Sequence, residues 1–190
     1  MTANAIAVDR TISASEAESI LKKLMLPALQ MEHALTKNVI AAIPLDKGDY
    51  RPHAVVKTAL ELAWHIAAAE NRFLDAVAAG KFNFDGSARP ESVRNSADVV
   101  AWYAESFARN IQRLQQLSPE QLTKPIDFRG IFQFPAVVYL QIGLNHSIHH
   151  RGQLSTYLRP MGAKVPSIYG ESYDAAEERK AKQAATAIPA

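Results

Sequence analysis

Cysteine is absent from the 190 residues. That single absence removes disulfides, thiolate metal sites, cysteine nucleophiles and iron–sulfur clusters. Glycine (8) and proline (10) are too sparse for a fibrous or low-complexity chain. An excess of charge of one sign is missing as well: 21 Lys and Arg against 19 Asp and Glu leave +2, too little to argue for a nucleic-acid partner. Long hydrophobic runs are also missing. The most apolar stretches, Leu60 to Ala69 and Phe134 to Leu144, are too short and too interrupted by polar residues to span a bilayer. The opening MTANAIAVDRTISAS has neither a basic start nor a continuous apolar core, so no export signal is expected and a cytoplasmic location is the default. What is present is a 48% hydrophobic, 21% charged chain of ordinary globular composition.

Its dominant pattern is helical periodicity, repeated four times. The first segment opens at Ser13 or Ser15, each followed three residues later by Glu16 or Glu18, a capping-box spacing. Its apolar stripe runs Ile20, Leu24, Met31, Leu35, Val39, Ile43, and Pro27 within it should kink or restart the helix. The second segment spans about Val55 to Ala79 and ends at Gly80. A long loop, KFNFDGSARPESVRN, precedes the third segment, Ser96 to Leu117. Ser118-Pro119-Glu120-Gln121 has the form of a capped short turn, and Thr123 to Phe134 should be extended or irregular, with too few strand signals to build a sheet. The fourth helix should run from about Pro135 to Met161-Gly162. These features predict an all-α four-helix bundle as a single domain over residues 1–170. An Ala- and charge-rich tail, 171–190, should be a frayed helix or disordered.

Histidines carry the chemistry. Three of the six fall in Asn145-His146-Ser147-Ile148-His149-His150-Arg151-Gly152-Gln153. Residues four apart share a helix face, so His146 and His150 can ligate one ion. His149 is within reach of the same arc, and spacing does not exclude it. Neither His is followed by Glu, so the H-E-x-x-H chemistry of zinc proteases is not indicated. That face continues through Tyr139, Gly143, Gln153 and Tyr157, apart from the apolar stripe of Leu140, Leu144, Ile148, Leu154 and Leu158. A pair holds an ion poorly, and His65, at the edge of the second helix's apolar stripe, is the best third ligand. Three imidazoles leave coordination positions open, as a catalytic site requires. Nitrogen ligands without thiolate suit Zn, Ni, Cu or Fe. The competing reading is plain: a lone His is usually a satisfied core or surface residue, and His-His-Arg can be a solvated face. His33 and His53 fit that description. Arg151 falls on the Ile148/Leu144 side and is expected in a salt bridge or helix-end contact. Asn145, Gln153 and Tyr157 are candidates to orient a substrate or a metal-bound water, and Gln153, over the His146/His150 face, can hydrogen-bond a ligand. No Glu-x-x-His pair, phosphate loop, G-x-G-x-x-G or G-x-S-x-G occurs, and no general base is identifiable.

The run NHSIHHRGQLSTYLRPMGAKVPSIYG resembles the signature of the DinB/YfiT-like superfamily of metal-binding bundles, which is unrelated to the DNA polymerase sharing the DinB name. The supporting residues are His146 and His150, Arg151-Gly152-Gln153, Leu158-Arg159-Pro160 and Gly162. Upstream, Tyr50-Arg51-Pro52-His53 and Leu62-Ala63-Trp64-His65 match as well, so the likeness covers about residues 20–170. The resemblance implies a bundle in up-down-down-up order with a long crossover between helices two and three. It also implies one divalent ion (Zn, Ni or Fe) on His65, His146 and His150, with His149 off the ion, and homodimerisation through helix surface rather than the tail. Two functions compete. One is a metal-dependent enzyme transferring a low-molecular-weight thiol to an electrophile, or hydrolysing a small molecule. The other is a non-catalytic metal-binding or stress-response protein whose ion ties helices two and four. A DNA-damage role, suggested only by the family name, gains nothing from a charge of +2.

Overall fold

The computed structural model describes residues 11–85 and 88–186. The opening stretch read above for an export signal lies, as far as Arg10, outside the described residues.

Helix starts are written in side chains. Reciprocal capping boxes begin α1 (Ala14–Ser19; Ser13 with Glu16), α3 (Ala59–Ala79; Thr58 with Glu61) and α4 (Ser96–Gln115; Asn95 with Asp98). Another opens the short α5 (Pro119–Thr123; Ser118 with Gln121). The second helix therefore begins at Ala59 and not at Val55. Residues 52–56 form turns and bends, and the chain enters the helix through Ala59 N–H to Tyr50 O (2.8 Å) and Leu60 N–H to Gly48 O (2.9 Å). Gly80, at φ 72, closes α3 in the left-handed region that only glycine adopts without cost.

The first helix departs from expectation in register. Pro27 stands where a restart was expected, in the first turn of a new α-helical segment. A π-helical stretch, Ile20–Met25, joins α1 to α2 (Leu26–Ala41), and its wider turn accommodates the proline ring and the missing N–H. The buried face is Leu21, Met25, Leu29, Glu32, His33, Thr36, Val39 and Ile40. Leu24 (57% exposed) and Met31 (56%), placed in the stripe by sequence, face outward. Glu32 and Thr36 meet the Arg151 guanidinium inside the bundle, and the His33 ring stacks on Phe107.

Residue pairings give the helix directions. Moving up α3, Trp64, Asn71 and Asp75 meet Trp102, Asn110 and Arg113 of α4, so these two helices run parallel. His33 of α2 stacks on Phe107, and Ile43 O, just past the end of α2, accepts from Ser96 Oγ, so α2 opposes α4. On α6 (Ala136–Leu158), Gly143 meets Phe73 and His150 meets His65, so α6 opposes α3. The order is up-down-down-up, and parallel α3 and α4 require the long connection between them.

The segment after α5 corrects a second expectation. A two-stranded antiparallel ribbon forms from β1 (Pro125–Phe128) and β2 (Phe132–Pro135), with Ile126 opposite Phe134 and Phe128 opposite Phe132. Arg129 (φ 56) and Gly130 (φ 69) turn the chain, and the Asp127 carboxylate accepts from Gly130 N–H. Tyr139 on α6 donates its hydroxyl to Ile126 O at 2.7 Å, which pins the ribbon to the bundle. The last described helix, α7 (Tyr173–Thr186), buries no residue. It is held by Asp174, which accepts from both Arg159 guanidinium nitrogens (2.9 and 2.7 Å) and from Val165 N–H (2.8 Å).

Candidate metal centre

The site begins with spacing on one helix. His146 and His150, one turn apart on α6, have ring centroids 4.5 Å apart. The third ring is delivered by a close helix approach. A Cβ placed on Gly143 would lie 2.7 Å from Phe73 Cβ, so α3 and α6 touch there only because residue 143 has no side chain. One turn along α6 from that contact, and two turns back along α3, His65 faces the pair. Its ring centroid is 4.9 Å from that of His146 and 4.6 Å from that of His150. One nitrogen from each of the three lies within 4.8 Å of the others.

A hydrogen-bond chain sets the orientation of His150. Its Nδ1 is 3.0 Å from Gln153 Oε1, and Gln153 Nε2 donates to the Tyr157 hydroxyl at 3.4 Å. With the amide nitrogen committed to Tyr157, Oε1 faces the imidazole and accepts Nδ1–H. The lone pair of His150 is then left on Nε2. That Nε2 is 3.2 Å from Nε2 of His65. This separation suits a hydrogen bond between the two rings, and it also suits two ligands sharing one ion at bonds of about 2.0–2.1 Å.

Each residue expected at the site can be placed. Gln153 and Tyr157 stand beside His150. Asn145 does not join them: it is exposed and accepts from Gln141 at 2.8 Å. One residue before His146, it is turned about a quarter of the way around the helix from it. His149 is exposed and outside the group of three, although its ring neighbours His150. His53 is exposed in a turn, whereas His33 is buried between Phe107 and Tyr103. Arg151 forms the expected salt bridge, with Glu32 at 2.5 Å.

His65 and His146 resist protonation. Burial, then the neighbouring His150, then Lys57 and Arg72, lower the His65 pKa to about 4. Burial again leads for His146, followed by His150, His65 and His149, and brings it to about 4 against an opposing pull from Glu70. Neutral imidazole is the metal-binding form. His146 Nδ1 is moreover buried without a hydrogen-bond partner. Two neutral rings, an orphaned ring nitrogen and an all-nitrogen donor set fit a divalent cation better than a solvated polar patch.

Sequence reasoning missed the surroundings. Glu70 is 1% exposed, and its carboxylate lies 3.7 Å from His33 Nδ1. The only trace it left in the sequence was a carboxylate in the otherwise apolar run Ala67-Ala68-Ala69-Glu70. A cleft of about 430 Å³ opens beside His65, with Trp64, Ala68 and Ala69 as its wall and Lys57, Arg72 and Arg89 on its margin. Those cations come from three separate segments, so no local motif could have announced them.

With that geometry in hand, the likeness to known proteins can be read. The model of the DinB family matches residues 17–183. The uncharacterised protein YjoA of Bacillus subtilis is 28% identical over 130 residues, 67% of this chain and 82% of YjoA. YrdA, an uncharacterised protein of the same organism, is 32% identical over 111 residues, covering 57% of this chain and 64% of YrdA. Two solved structures share the fold. The crystal structure of B. subtilis YjoA has a TM-score of 0.64 at 24% identity, over 76% of this chain and 96% of YjoA. That of a DinB-like protein from Bacillus cereus has 0.67 at 23%, over 78% and 97%.

Proposed function

The chain belongs to the DinB family, and from that premise we propose that it is a metal-dependent enzyme that transfers a low-molecular-weight thiol to an electrophile. The observation that carries this reading is the convergence of His65, His146 and His150 at the edge of a cleft. A structural ion needs no approach from solvent, whereas a reacting one does.

A divalent ion held by these three rings would lower the pKa of a bound thiol and present it as a nucleophile at neutral pH. The chain's own residues do the rest. Gln153 and Tyr157 hold the His150 ring in the tautomer whose Nε2 is free. The packing of Gly143 on Phe73 fixes the distance from His65 to the other two rings. The cleft admits the electrophile beside His65, and the Trp64 and Ala68 wall excludes water from one side of it. In the transfer the sulfur bonds to the electrophilic carbon, the leaving group departs with its electron pair, and the thiol proton goes to solvent.

The test is metal analysis of protein purified without a His tag, followed by a screen of thiols against electrophiles. One ion per chain and metal-dependent loss of thiol are expected. Thiol-independent cleavage of a small ester or amide would identify a hydrolase instead. Unfolding on metal removal, with no exchangeable position for azide, would make the ion a tie between α3 and α6 and refute the enzyme reading.

A further inference from the structure

The cleft beside His65 carries more positive charge than its surroundings neutralise. Arg72 lies on its margin, partly desolvated, with its guanidinium over the Phe84 ring at 5.7 Å. Among the described residues no carboxylate comes within ion-pair distance of it. Its neighbour is instead a second arginine. Arg129 stacks on the same Phe84 ring at 4.0 Å, and burial together with this like charge lowers the Arg72 pKa. A half-buried cation beside another cation is an unfavourable arrangement unless a ligand offsets it.

Other arginines of the molecule are treated differently. Arg113 is paired with Asp75, Arg151 with Glu32, Arg159 with Asp174 and Arg179 with Glu171. The cleft also receives Lys57, which precedes α3, and Arg89, which donates to Val93 O. Its one acidic wall residue, Glu61, is engaged in the α3 cap, accepting from Thr58 N–H at 2.8 Å. Asp85 and Asp75 line the adjoining depression with Arg72. Asp75 is taken by Arg113, and Asp85 is exposed in a turn.

Position completes the argument. Arg72 follows His65 by seven residues, two turns on the same face of α3, or about 10 Å along the axis. Ala68 and Ala69, between them, keep the wall low. We propose that Arg72, with Lys57 and Arg89 in support, is the anchor for a carboxylate or phosphate group of the substrate, whose reacting end lies two helical turns away at the histidines. The ligand class is therefore a small organic anion with its charge remote from the reacting atom. This assignment rests on His65, His146 and His150 being the reacting centre, but anion binding itself is measurable without a metal.

The probes are inorganic phosphate and succinate, titrated into the metal-free protein while the Arg Nε–H resonances are followed by NMR. Saturable shifts at Arg72 are expected. Arg72→Met should weaken binding about tenfold or more, the loss of one charge-assisted contact. Arg72→Lys should recover part of it, and Arg109→Met, on an exposed surface, should change nothing. Stronger binding of phosphate than succinate identifies a phosphate anchor, and the reverse a carboxylate. Metal affinity of Arg72→Met should stay at or slightly above wild type. Absence of saturation by either anion, or an undiminished affinity in Arg72→Met, overturns the assignment. Anion binding by a protein that takes up no metal would refute the reaction proposed above while leaving the anchor standing.

Discussion

Arg151 of α6 and Glu32 of α2 form a buried ion pair, 2.5 Å from nitrogen to oxygen, across 119 residues of sequence. Arg151 is 1% exposed and Glu32 5%. The Tyr169 hydroxyl completes the arrangement, donating to Glu32 at 2.9 Å and accepting from Arg151 at 2.5 Å, so the chain beyond α6 is tied to the same point. Because Arg151 adjoins His150, the pair also fixes the rotation of α6 that aims the ring. Arg151→Met should destabilise the metal-free protein by about 3–5 kcal/mol, since it leaves Glu32 buried and unpaired. Adding Glu32→Leu should restore much of that. Urea denaturation of the single and double variants checks it; a double variant no more stable than the single would show that the pair is not the source of the loss.

Gly143 supplies a second prediction. Alanine there would drive its methyl into Phe73, so α3 must shift away from α6, at about 1–3 kcal/mol. The same shift carries His65 from its partners, and metal affinity should fall with stability. Gly152 on the same helix is the control, because a Cβ there meets nothing within 4 Å. Gly152→Ala should be neutral or stabilise by about 0.5–1 kcal/mol through helix propensity. Equal effects of the two substitutions on metal binding would rule out helix approach as the determinant.

How much of this was legible in the sequence depended on range. The capping residues Ser13 and Ser118 act over three positions, and they marked helix starts well, whereas the Thr58 and Asn95 caps were not singled out. The pairing of His146 with His150 needed only the helical repeat. His65 stood out less, at the edge of a stripe, because its partners are 81 and 85 residues away. Glu32, His33 and Thr36 were unreadable for the same reason. A polar side chain is buried when a partner waits for it, and theirs lie on other helices: Arg151 for Glu32, Phe107 and Glu70 for His33. The ribbon was missed because its strands are four residues each and owe their stability to Tyr139 and packed aromatic rings rather than to any alternating pattern.

The depressed proton affinities of His65 and His146 set a pH dependence. Both pKa values are lowered from 6.5 to about 4 in the folded protein, so between these limits the unfolded chain binds more protons than the native one. Stability of the metal-free protein should therefore rise with pH across that window, and fall as the pH drops from about 6.5 toward 4. Denaturation midpoints at pH 7.5, 5.5 and 4.5 in wild type and His65→Phe measure it. The variant should show a shallower slope. A wild-type stability flat across this range would mean the rings titrate normally.

The last prediction concerns the tautomer of His150. Gln153 accepts from its Nδ1 and is itself held by Tyr157, so the ring's free lone pair is directed at His65. Gln153→Ala should lower metal affinity about 10–100-fold, the usual effect of losing a partner behind a ligating imidazole, with little change in the fold. Gln153→Glu should bind at least as tightly as wild type, since a carboxylate accepts the Nδ1 proton more strongly and makes the ring more basic. Tyr157→Phe should fall between wild type and Gln153→Ala, because the amide is freed to turn while its oxygen remains available. His149→Ala, outside this chain of contacts, should match wild type. Metal titration followed by circular dichroism of each variant separates loss of the ion from loss of the helix. If Gln153→Ala keeps wild-type affinity, or if His149→Ala loses the metal, His150 is not oriented in the way these contacts require.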